Sequence, residues 1–281
     1  QKRINIATEE LQQKNRALEE SLNKIEEIRR QERDMIDVMG HELRTPITIV
    51  RNALLVLKSK LDSKEKLTQK ELLEYIDKAV EGSRREVNLV ETLLSATKVE
   101  SNRIQLLLTK VDVKDVVMDS IEAHKVYIKD KNIKIKFNAP SRDIFAYADR
   151  SRTQEVMDNF LSNAVKYTIK GGITINLIKD ANHVSVALAD TGIGIAKQDI
   201  KHLGKKFFRA KQYLDSTDGK TNGVVRPGGT GLGLYVSFNL IRIMKGKVEI
   251  ESQLGKGSTF TFKLPVYKRQ EDKHIDQSFS E

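Results

Sequence analysis

The sequence predicts an α + α/β protein in which a helical hairpin is followed by an α/β sandwich. Two observations predict this class. Up to about residue 100, apolar residues recur at heptad or helical spacing, whereas beyond about residue 110 short segments alternate apolar and polar residues. Helical stretches lie between these alternating segments, so a sheet covered by helices on one face is the economical arrangement.

Composition limits the class of function. The 281 residues are 39% hydrophobic and 31% charged, which is typical of a soluble protein with much exposed helix. The absence of cysteine excludes a disulfide framework and any thiolate nucleophile or metal site, and it favours a cytoplasmic protein. No apolar run of about 18 residues occurs, and the first residues are not a signal peptide. Because the chain begins without Met, we expect a sensor or membrane anchor upstream of it in the full-length protein.

The formal net charge of +10 raises the hypothesis of a coiled-coil protein that binds nucleic acid. Acidic and basic residues interleave along the chain, however, as in residues 24–27 and 64–66. We interpret the charge as solvated surface and expect no nucleic-acid partner, which a salt titration of DNA binding would check.

Residues 1–33 carry a heptad pattern. Apolar residues recur at every seventh position, at Ile4, Leu11, Leu18 and Ile25. This spacing predicts a coiled-coil signalling helix, although Lys14 and Ser21 occupy positions where a second apolar residue belongs. We expect neighbouring helices to complete the coil, and the pattern fits a simple dimerisation stalk equally well.

Residues 34–105 are predicted to form a helical hairpin. The helical pattern of its first half is interrupted only by Pro46, and a polar turn follows at residues 62–66. Thr68 and Glu71 have the spacing of a capping box, which predicts a second helix from there to about residue 100. Each hairpin has one apolar and one exposed side, so two hairpins form a four-helix bundle and we predict a homodimer.

Residues 111–268 are predicted to form the α/β sandwich. Strands with one buried face are expected at residues 133–137, 173–177, 184–188 and 260–264. Helices are expected at about residues 113–129, 151–167 and 231–245. The remaining residues, 269–281, form a polar tail.

His41 lies in the first helix of the hairpin, two positions beyond the apolar seam at Met39, on the flank that faces water. Neutral imidazole is a nucleophile, and a carboxylate such as Glu42 can hold the proton of the second ring nitrogen. Thr45 shares the helix face of His41 and could orient a water molecule. A zinc-protease motif is excluded because it needs a histidine where Thr45 stands. Pro46 lacks an N–H, so we expect a bend nearby.

Two glycine-rich segments are candidate ligand loops. Asp190 ends an apolar strand and precedes Gly192 and Gly194, which would let the backbone approach a ligand. A buried carboxylate at this point could accept the exocyclic amine of adenine. The second segment opens a helix, so its amides would face an anion such as a nucleotide phosphate. It contains Gly229, Thr230, Gly231, Leu232 and Gly233. Neither segment matches a P-loop or a dinucleotide motif, and either alone fits a simple turn.

Asn159, Asn163 and Lys166 share one face of a predicted helix. Amide oxygens suit Mg²⁺, and an ammonium group suits phosphate. Asparagine has poor helix propensity, so two asparagines at this spacing beside a lysine favour a ligand role over packing.

The stretch between the two glycine loops, residues 196–228, has a length typical of a lid over a binding site. Phe207 and Phe208 would anchor it, while Arg209 or Lys206 could reach phosphate. A disordered surface loop is the alternative for its middle part.

Taken together and in order, these motifs resemble those of the sensor histidine kinases of two-component systems, over about residues 34–266. That family's phosphoacceptor, asparagine, first glycine, phenylalanine and second glycine boxes match residues 41–46, 159–168, 190–195, 207–209 and 229–234. The resemblance implies a dimeric phosphotransfer hairpin followed by an ATP-binding domain of the type shared with DNA gyrase.

The resemblance also implies roles for the hairpin residues. His41 is the implied nucleophile that receives phosphate from ATP and passes it to an aspartate on the receiver domain of a response regulator. Glu42 is the implied base, and together with Thr45 it would support dephosphorylation of the phosphorylated partner.

In the nucleotide site, the resemblance implies that Asn163 binds Mg²⁺ and that Asp190 recognises adenine. The implied phosphate and nucleotide contacts are Lys166, Arg209, Tyr167, Phe208 and the glycines of both loops. The hydrolytic relatives carry a glutamate where Asn159 stands, and an amide cannot activate water as that base does. A scaffold that binds a partner without phosphotransfer is the alternative, and the presence of all five boxes argues against it.

Overall fold

The computed structural model describes residues 2–63, 67–101, 103–210 and 229–268. The chain divides into two compact units with the boundary between Leu89 and Val90. We call the first the hairpin unit and the second the sandwich unit. The predicted polar tail and residues 211–228 of the predicted lid lie outside the described residues, as do residues 64–66 of the predicted turn. Among the helices described, none has both the length and the apolar composition that crossing a membrane requires.

Two long helices form the N-terminal part of the chain: α1 spans Lys2–Asp62 and α2 spans Gln69–Glu100. The predicted capping box fixes where α2 begins. The amide of Glu71 donates to Thr68 Oγ1 at 3.2 Å, and the Glu71 carboxylate accepts from the amide of Thr68 at 2.9 Å. These reciprocal bonds satisfy two amides that the helix itself leaves without acceptors.

The helices of the hairpin unit approach each other closely at Gly82. A Cβ atom at this position would lie 2.8 Å from Val50 Cγ2 and 3.1 Å from the carbonyl oxygen of Pro46. Gly82, Pro46 and Ala53 are all buried. The small residue therefore allows α2 to pack against α1 at this point.

Helix α1 continues through Pro46, as expected, and the bend expected near this residue stays a prediction. Two threonine hydroxyls supply extra hydrogen bonds around the proline. Thr45 Oγ1 donates to the carbonyl of His41 at 3.0 Å, and Thr48 Oγ1 donates to the carbonyl of Arg44 at 2.7 Å. These bonds occupy helix carbonyls on both sides of the missing proline N–H.

The sandwich unit is built on a mixed five-stranded sheet with the spatial order β2-β4-β5-β7-β6. Its strands are β2 Lys134–Asn138, β4 Gly172–Lys179, β5 His183–Asp190, β6 Lys247–Gln253 and β7 Gly257–Pro265. Strands β2 and β4 are parallel, and the other neighbours are antiparallel. A separate antiparallel pair joins β1 Thr109–Asp112 to β3 Phe145–Ala148. The four predicted strands are confirmed, whereas β1, β3 and β6 were not predicted.

The sandwich unit has five further helices among its described residues: α3 Val113–Ala123, α4 Lys125–Asp130, α5 Arg150–Tyr167, α6 Lys197–Ile200 and α7 Gly233–Ile243. Helix α5 packs against both α3 and α7, and the three helices share one hydrophobic core with the sheet, which confirms the predicted α/β sandwich. The single helix expected at residues 113–129 is instead two helices, separated at His124.

Candidate nucleotide-binding site

Helix α5 carries the asparagines and the lysine predicted for the site, and Asp149 fixes its beginning. One carboxylate oxygen of Asp149 accepts from the amide of Arg152 at 3.1 Å, and the other accepts from the amide of Leu107 at 2.8 Å. Burial alone would raise the pKa of the Asp149 carboxyl, but these bonds and one from Ser151 outweigh burial and hold that pKa below its usual value. An ionised cap therefore anchors α5.

Lys131 fixes the other end of α5. Its Nζ donates to the carbonyl oxygen of Val165 at 2.7 Å and to that of Lys166 at 3.0 Å. A cation at this position complements the negative end of the helix dipole. Partial burial lowers the pKa of the Lys131 ammonium group. With both ends fixed, α5 is a rigid platform for the side chains along it.

Three side chains on α5 and α7 form a hydrogen-bonded chain. Asn159 Nδ2 donates to Ser237 Oγ at 2.8 Å, and Asn163 Nδ2 donates to Asn159 Oδ1 at 3.4 Å. Asn159 also contacts the first residue of α7, because a Cβ at Gly233 would lie 2.3 Å from Asn159 Oδ1. Asn159 thus joins α5 to α7, and the nitrogen of Asn163 is turned toward Asn159.

Asp190 ends β5 with its carboxylate partly buried. The amide of Gly192 donates to Asp190 Oδ1 at 2.8 Å. Burial raises the pKa of the Asp190 carboxyl, and the amides of Gly192 and Ser258 oppose that rise in part. A side chain at position 192 is excluded, because its Cβ would lie 2.5 Å from the carbonyl oxygen of Tyr167. Gly192 therefore positions Asp190 against the end of α5.

The turn between β6 and β7 holds the first glycine loop. The amide of Ile195 donates to Ser252 Oγ at 2.8 Å, and the amide of Gly255 donates to the carbonyl of Ile193 at 2.7 Å. Gly194 has φ +66°, and a Cβ there would lie 2.0 Å from the carbonyl oxygen of Gln253. Both glycines of this loop are thus required by the protein's own backbone, and the close approach of a ligand that we expected at them stays a prediction.

The second glycine loop packs against the side chains of the site. A Cβ at Gly229 would lie 2.9 Å from Lys166 Nζ, and a Cβ at Gly231 would lie 2.7 Å from the backbone of Phe207. Phe207 has φ +63°, a conformation that costs energy in a residue with a side chain. The close backbone packing of Gly231 supports this conformation, so the loop joins α5 to the phenylalanine segment.

One cleft of the sandwich unit brings most of the predicted site residues together. Those that line it are Asn159, Asn163, Lys166, Tyr167, Asp190, Gly194, Phe208, Arg209, Gly229, Thr230, Gly231 and Gly233. Gly192 and Leu232 do not line it. Gly192 is buried beneath Asp190, and Leu232 is fully buried in the hydrophobic core while its amide donates to Thr230 Oγ1 at 3.3 Å.

The cleft also contains residues that the motifs did not indicate. Thr92 on α2, Ser258 and Phe260 on β7, and Leu203 line it. Phe260 belongs to a predicted strand, but the alternation of apolar and polar residues in that strand does not indicate which of its faces meets a ligand. Thr92 lies in a helix assigned to the hairpin by its apolar pattern, although residues from Val90 onward belong to the sandwich unit.

The phenylalanine segment is tied to the end of α2 within the sandwich unit. Lys206 Nζ lies 2.8 Å from a carboxylate oxygen of Glu100. The Phe208 ring packs beside that of His202, with centroids 5.4 Å apart. Arg209 follows and lines the cleft, so the described start of the predicted lid is attached at several points.

The hairpin unit carries the predicted phosphoacceptor. His41 is exposed on α1, and Glu42 beside it is half-buried. Thr45 is exposed, one turn further on, and its hydroxyl donates to the main chain of His41. A side chain in this position can be reached by another protein or domain.

Within the described part of the chain, no cluster of three or more His, Cys, Asp and Glu side chains could hold a metal ion. A carboxylate-rich metal centre is therefore not present in this part of the protein. The amide oxygen of Asn163 in the cleft is a hard ligand of the kind that Mg²⁺ accepts when a nucleotide supplies the other oxygens.

The fold is a mixed sheet with one helical layer, and its cleft combines an acid, amides, a lysine and two glycine loops. Together these features define a nucleotide-binding module. Residues 148–268 match the sequence profile of the histidine kinase-, DNA gyrase B-, and HSP90-like ATPase family. Residues 31–102 match that of the His Kinase A (phospho-acceptor) domain. The two domains occur in the order that sensor histidine kinases have.

Similar proteins agree with this assignment. The chain is 28% identical to the sensor histidine kinase WalK of Bacillus subtilis over 253 residues, which are 88% of this chain and 39% of WalK. It is 30% identical to the circadian input-output histidine kinase CikA of Thermosynechococcus vestitus over 259 residues, or 90% of this chain and 34% of CikA. The chain therefore spans well under two thirds of the length of these relatives.

The fold is also found in solved structures. The histidine kinase AdeS of Acinetobacter baumannii superimposes with a TM-score of 0.56 and 25% identity, over 81% of this chain and 98% of that structure. Full-length ShkA, solved in complex with AMPPNP, gives a TM-score of 0.57 at 23% identity, over 84% of this chain and 46% of ShkA, which supports the fold. The chain belongs to the sensor histidine kinases of two-component systems and contains their core.

Proposed function

We propose that the chain is an ATP-dependent protein-histidine kinase that phosphorylates its own His41 and passes the phosphoryl group to an aspartate of a response regulator. The observation that carries this proposal is the convergence of Asn163, Lys166, Asp190 and the second glycine loop on one cleft. The same chain presents an exposed His41 in its phospho-acceptor domain.

The cleft residues have chemistry that fits ATP. The Asp190 carboxylate can accept the exocyclic amine of adenine through the oxygen that Gly192 does not occupy. Tyr167 and Phe208 offer apolar surface beside the base, and Lys166 and Arg209 supply positive charge for the phosphates. The second glycine loop precedes α7, so the amides at the start of this helix favour an anion.

Asn163 is the residue that we propose as the Mg²⁺ ligand. Its nitrogen donates to Asn159, which leaves the oxygen end of the amide for the cation. Mg²⁺, when bound with the nucleotide, would neutralise the charge that develops on the phosphates. Asn159 carries an amide at the position where the hydrolytic relatives carry a glutamate base. The site therefore does not activate water, and His41 remains the acceptor of the phosphoryl group.

At His41, one ring nitrogen of the neutral imidazole would attack the γ-phosphorus while the bond to the β–γ bridging oxygen breaks and ADP leaves. The proton on the other ring nitrogen would pass to Glu42, its neighbour on α1. The phosphohistidine would then transfer its phosphoryl group to an aspartate carboxylate of the receiver domain. We also propose that Thr45 and Glu42 support hydrolysis of that phosphoaspartate, with Thr45 orienting the water.

A homodimer forms part of this proposal. Large apolar side chains stay exposed along both helices of the single hairpin unit, at Leu54, Leu61, Leu73, Ile76, Val80 and Val87. The heptad residues Leu11, Leu18 and Ile25 are exposed as well. A second copy would cover both stripes, giving a four-helix bundle with residues 1–33 as a coiled coil. An upstream sensor or membrane anchor and a cytoplasmic location for this core complete the proposal.

Incubation with Mg²⁺ and ATP labelled at the γ-phosphate tests the proposed activity. We expect a label on the protein that is labile in acid, stable in alkali, and absent from His41→Gln. His41→Gln should still bind ATP, because residue 41 belongs to the other unit. Failure of the parent chain to acquire label, with ATP binding intact, would favour a scaffold without kinase activity.

A further inference from the structure

Ser237 is a buried polar residue on a helix face that otherwise carries apolar side chains. It is 1% exposed, and the other buried residues of α7 are Val236, Leu240 and Ile241. A hydroxyl group at such a position costs free energy unless it makes a hydrogen bond. Ser237 Oγ makes one, by accepting from Asn159 Nδ2 at 2.8 Å.

In the structure, the nitrogen end of the Asn159 amide is the end that meets Ser237. Because the nitrogen donates to Ser237, the oxygen faces Gly233 and accepts from Asn163 Nδ2 at 3.4 Å. The second distance is long for a hydrogen bond, so this link depends on Asn159 being held in place. The direction of donation therefore runs from Asn163 through Asn159 to Ser237.

We propose that Ser237 is a positioning residue for the nucleotide site, which acts through Asn159 to keep the amide oxygen of Asn163 directed toward a divalent cation. This inference rests on the proposed function, in which Asn163 binds Mg²⁺. The two ends of an amide have opposite character, and a rotated Asn163 would present N–H groups to the cation. The buried hydroxyl accepts from the Asn159 nitrogen and holds this side chain in place, while Ser237 itself does not line the cleft.

Ser237→Ala removes the acceptor and only one heavy atom, so the core stays packed. We expect this variant of the whole chain to bind a non-hydrolysable ATP analogue about three- to ten-fold more weakly in Mg²⁺, as the loss of one hydrogen bond predicts. Its affinity in EDTA should equal that of the parent. Isothermal titration calorimetry in the two buffers measures both values.

Ser120→Ala is the matched control. Ser120 is also a fully buried helix serine, and its hydroxyl donates to Asp158 Oδ1 at 2.7 Å, but it does not line the cleft. This variant should keep the affinity of the parent in both buffers. In Asn159→Ala, the further change Ser237→Ala should have no additional effect, because the hydroxyl acts through that amide.

Three outcomes would distinguish a positioning role of Ser237 from a structural role and from failure of the proposed Mg²⁺ site. An equal loss of affinity in Mg²⁺ and in EDTA for Ser237→Ala would assign Ser237 a structural role only and overturn the proposal. Parent-like affinity in Mg²⁺ for Ser237→Ala would also overturn it, while leaving the proposed kinase function intact. If the parent chain itself binds the analogue no better in Mg²⁺ than in EDTA, the proposed Mg²⁺ site fails together with this inference.

Discussion

The main-chain amide of Gly192 donates a hydrogen bond to Asp190 Oδ1 at 2.8 Å. This contact occupies one carboxylate oxygen, and in the proposed function the second oxygen accepts from adenine. The carboxyl is nevertheless partly buried, and burial raises its pKa. Asp190 therefore lowers the stability of the ligand-free protein at neutral pH while preparing it to bind.

Asp190→Asn separates these two effects. The amide has a single oxygen, so either Gly192 or the exocyclic amine of adenine meets an N–H group instead of an acceptor. We expect ATP affinity to fall about 10- to 100-fold, which corresponds to losing a charge-assisted hydrogen bond and leaving a donor unpaired. Titration calorimetry with an ATP analogue measures the loss.

The thermal stability of Asp190→Asn should not fall together with its ATP affinity. The folded-state pKa of Asp190 is raised, so the contribution of this carboxyl to the free energy of unfolding is fully favourable below its unfolded-state pKa of 3.8. That contribution is lost as pH rises through the folded-state pKa. At pH 7, Asp190→Asn should therefore melt no lower than the parent. The exposed Asp115→Asn on α3 serves as the control for affinity, which should not change. Full affinity for ATP in Asp190→Asn would contradict the assigned role.

The contribution of Asp149 to stability should depend on pH in the opposite sense to that of Asp190. Asp149→Ala removes the cap of α5 and leaves the Leu107 amide without its acceptor, so we expect a loss of about 2 kcal/mol at pH 7. The folded-state pKa of Asp149 is depressed, so the contribution of this carboxylate to the free energy of unfolding is present above its ordinary pKa of 3.8. That contribution is lost as pH falls through the folded-state pKa.

Urea unfolding at pH 7 and at about pH 3 checks this prediction. The difference in unfolding free energy between Asp149→Ala and the parent should narrow at the lower pH, because the stabilisation by this carboxylate decreases below 3.8 as pH falls toward the folded-state pKa. A difference that does not depend on pH would mean that Asp149 acts only through packing.

The hairpin unit allows one substitution to be tested at two glycines. A Cβ at Gly40 has no neighbour within 4 Å, so Gly40→Ala should stabilise the helix by about 0.5–1 kcal/mol. A Cβ at Gly82 would lie 2.8 Å from Val50 Cγ2, so Gly82→Ala should destabilise by about 1–3 kcal/mol through overpacking. Unfolding at equal protein concentrations measures both, and equal stabilisation by the two changes would argue against close packing at Gly82.

Thr45 is expected to matter for dephosphorylation and not for autophosphorylation. Its hydroxyl lies one turn beyond His41 on an exposed face, where it can orient a water molecule on the phosphorylated partner. Thr45→Ala should retain labelling of His41 and lower phosphatase activity about 100-fold, as expected when a reacting water is misplaced. Thr45→Ser keeps the hydroxyl and should retain much of the activity. Unchanged phosphatase activity in Thr45→Ala would refute this role.

Local signals made much of the fold predictable. The Thr68 and Glu71 pair marked the beginning of α2 because a capping box is formed by residues three apart. Strands β4 and β5 bury every second residue over most of their length, and β7 does so at Phe262 and Leu264, so their alternation is strong. Strands β1 and β3 have four residues each, which is too short for a periodic signal.

Strand β6 was missed although Val248 and Ile250 alternate with Glu249 and Glu251. It lies at the edge of the sheet and its apolar residues are only half-buried, so the pattern contains just two apolar positions. This omission also concealed the β6–β7 turn that supports the first glycine loop.

The site was predictable where its residues lie close in sequence or form a motif. Asn159, Asn163 and Lys166 share a helix face, and their spacing alone indicates a ligand. Ser237 is 78 residues from Asn159, and nothing in its local pattern distinguishes a serine that orients an amide from one that fills space. Such long-range pairs become visible only when α5 and α7 are packed together.

The central claim is that His41 receives the γ-phosphate of ATP, and site mapping tests it most directly. The chain is incubated with Mg²⁺ and ATP, digested at neutral to alkaline pH, and analysed by mass spectrometry with fragmentation that preserves phosphohistidine. We predict one phosphoryl group on the peptide that contains His41, located on that residue and removed by brief acid treatment. Phosphate found only on serine, threonine or another histidine, in a chain that binds ATP, would contradict the claim.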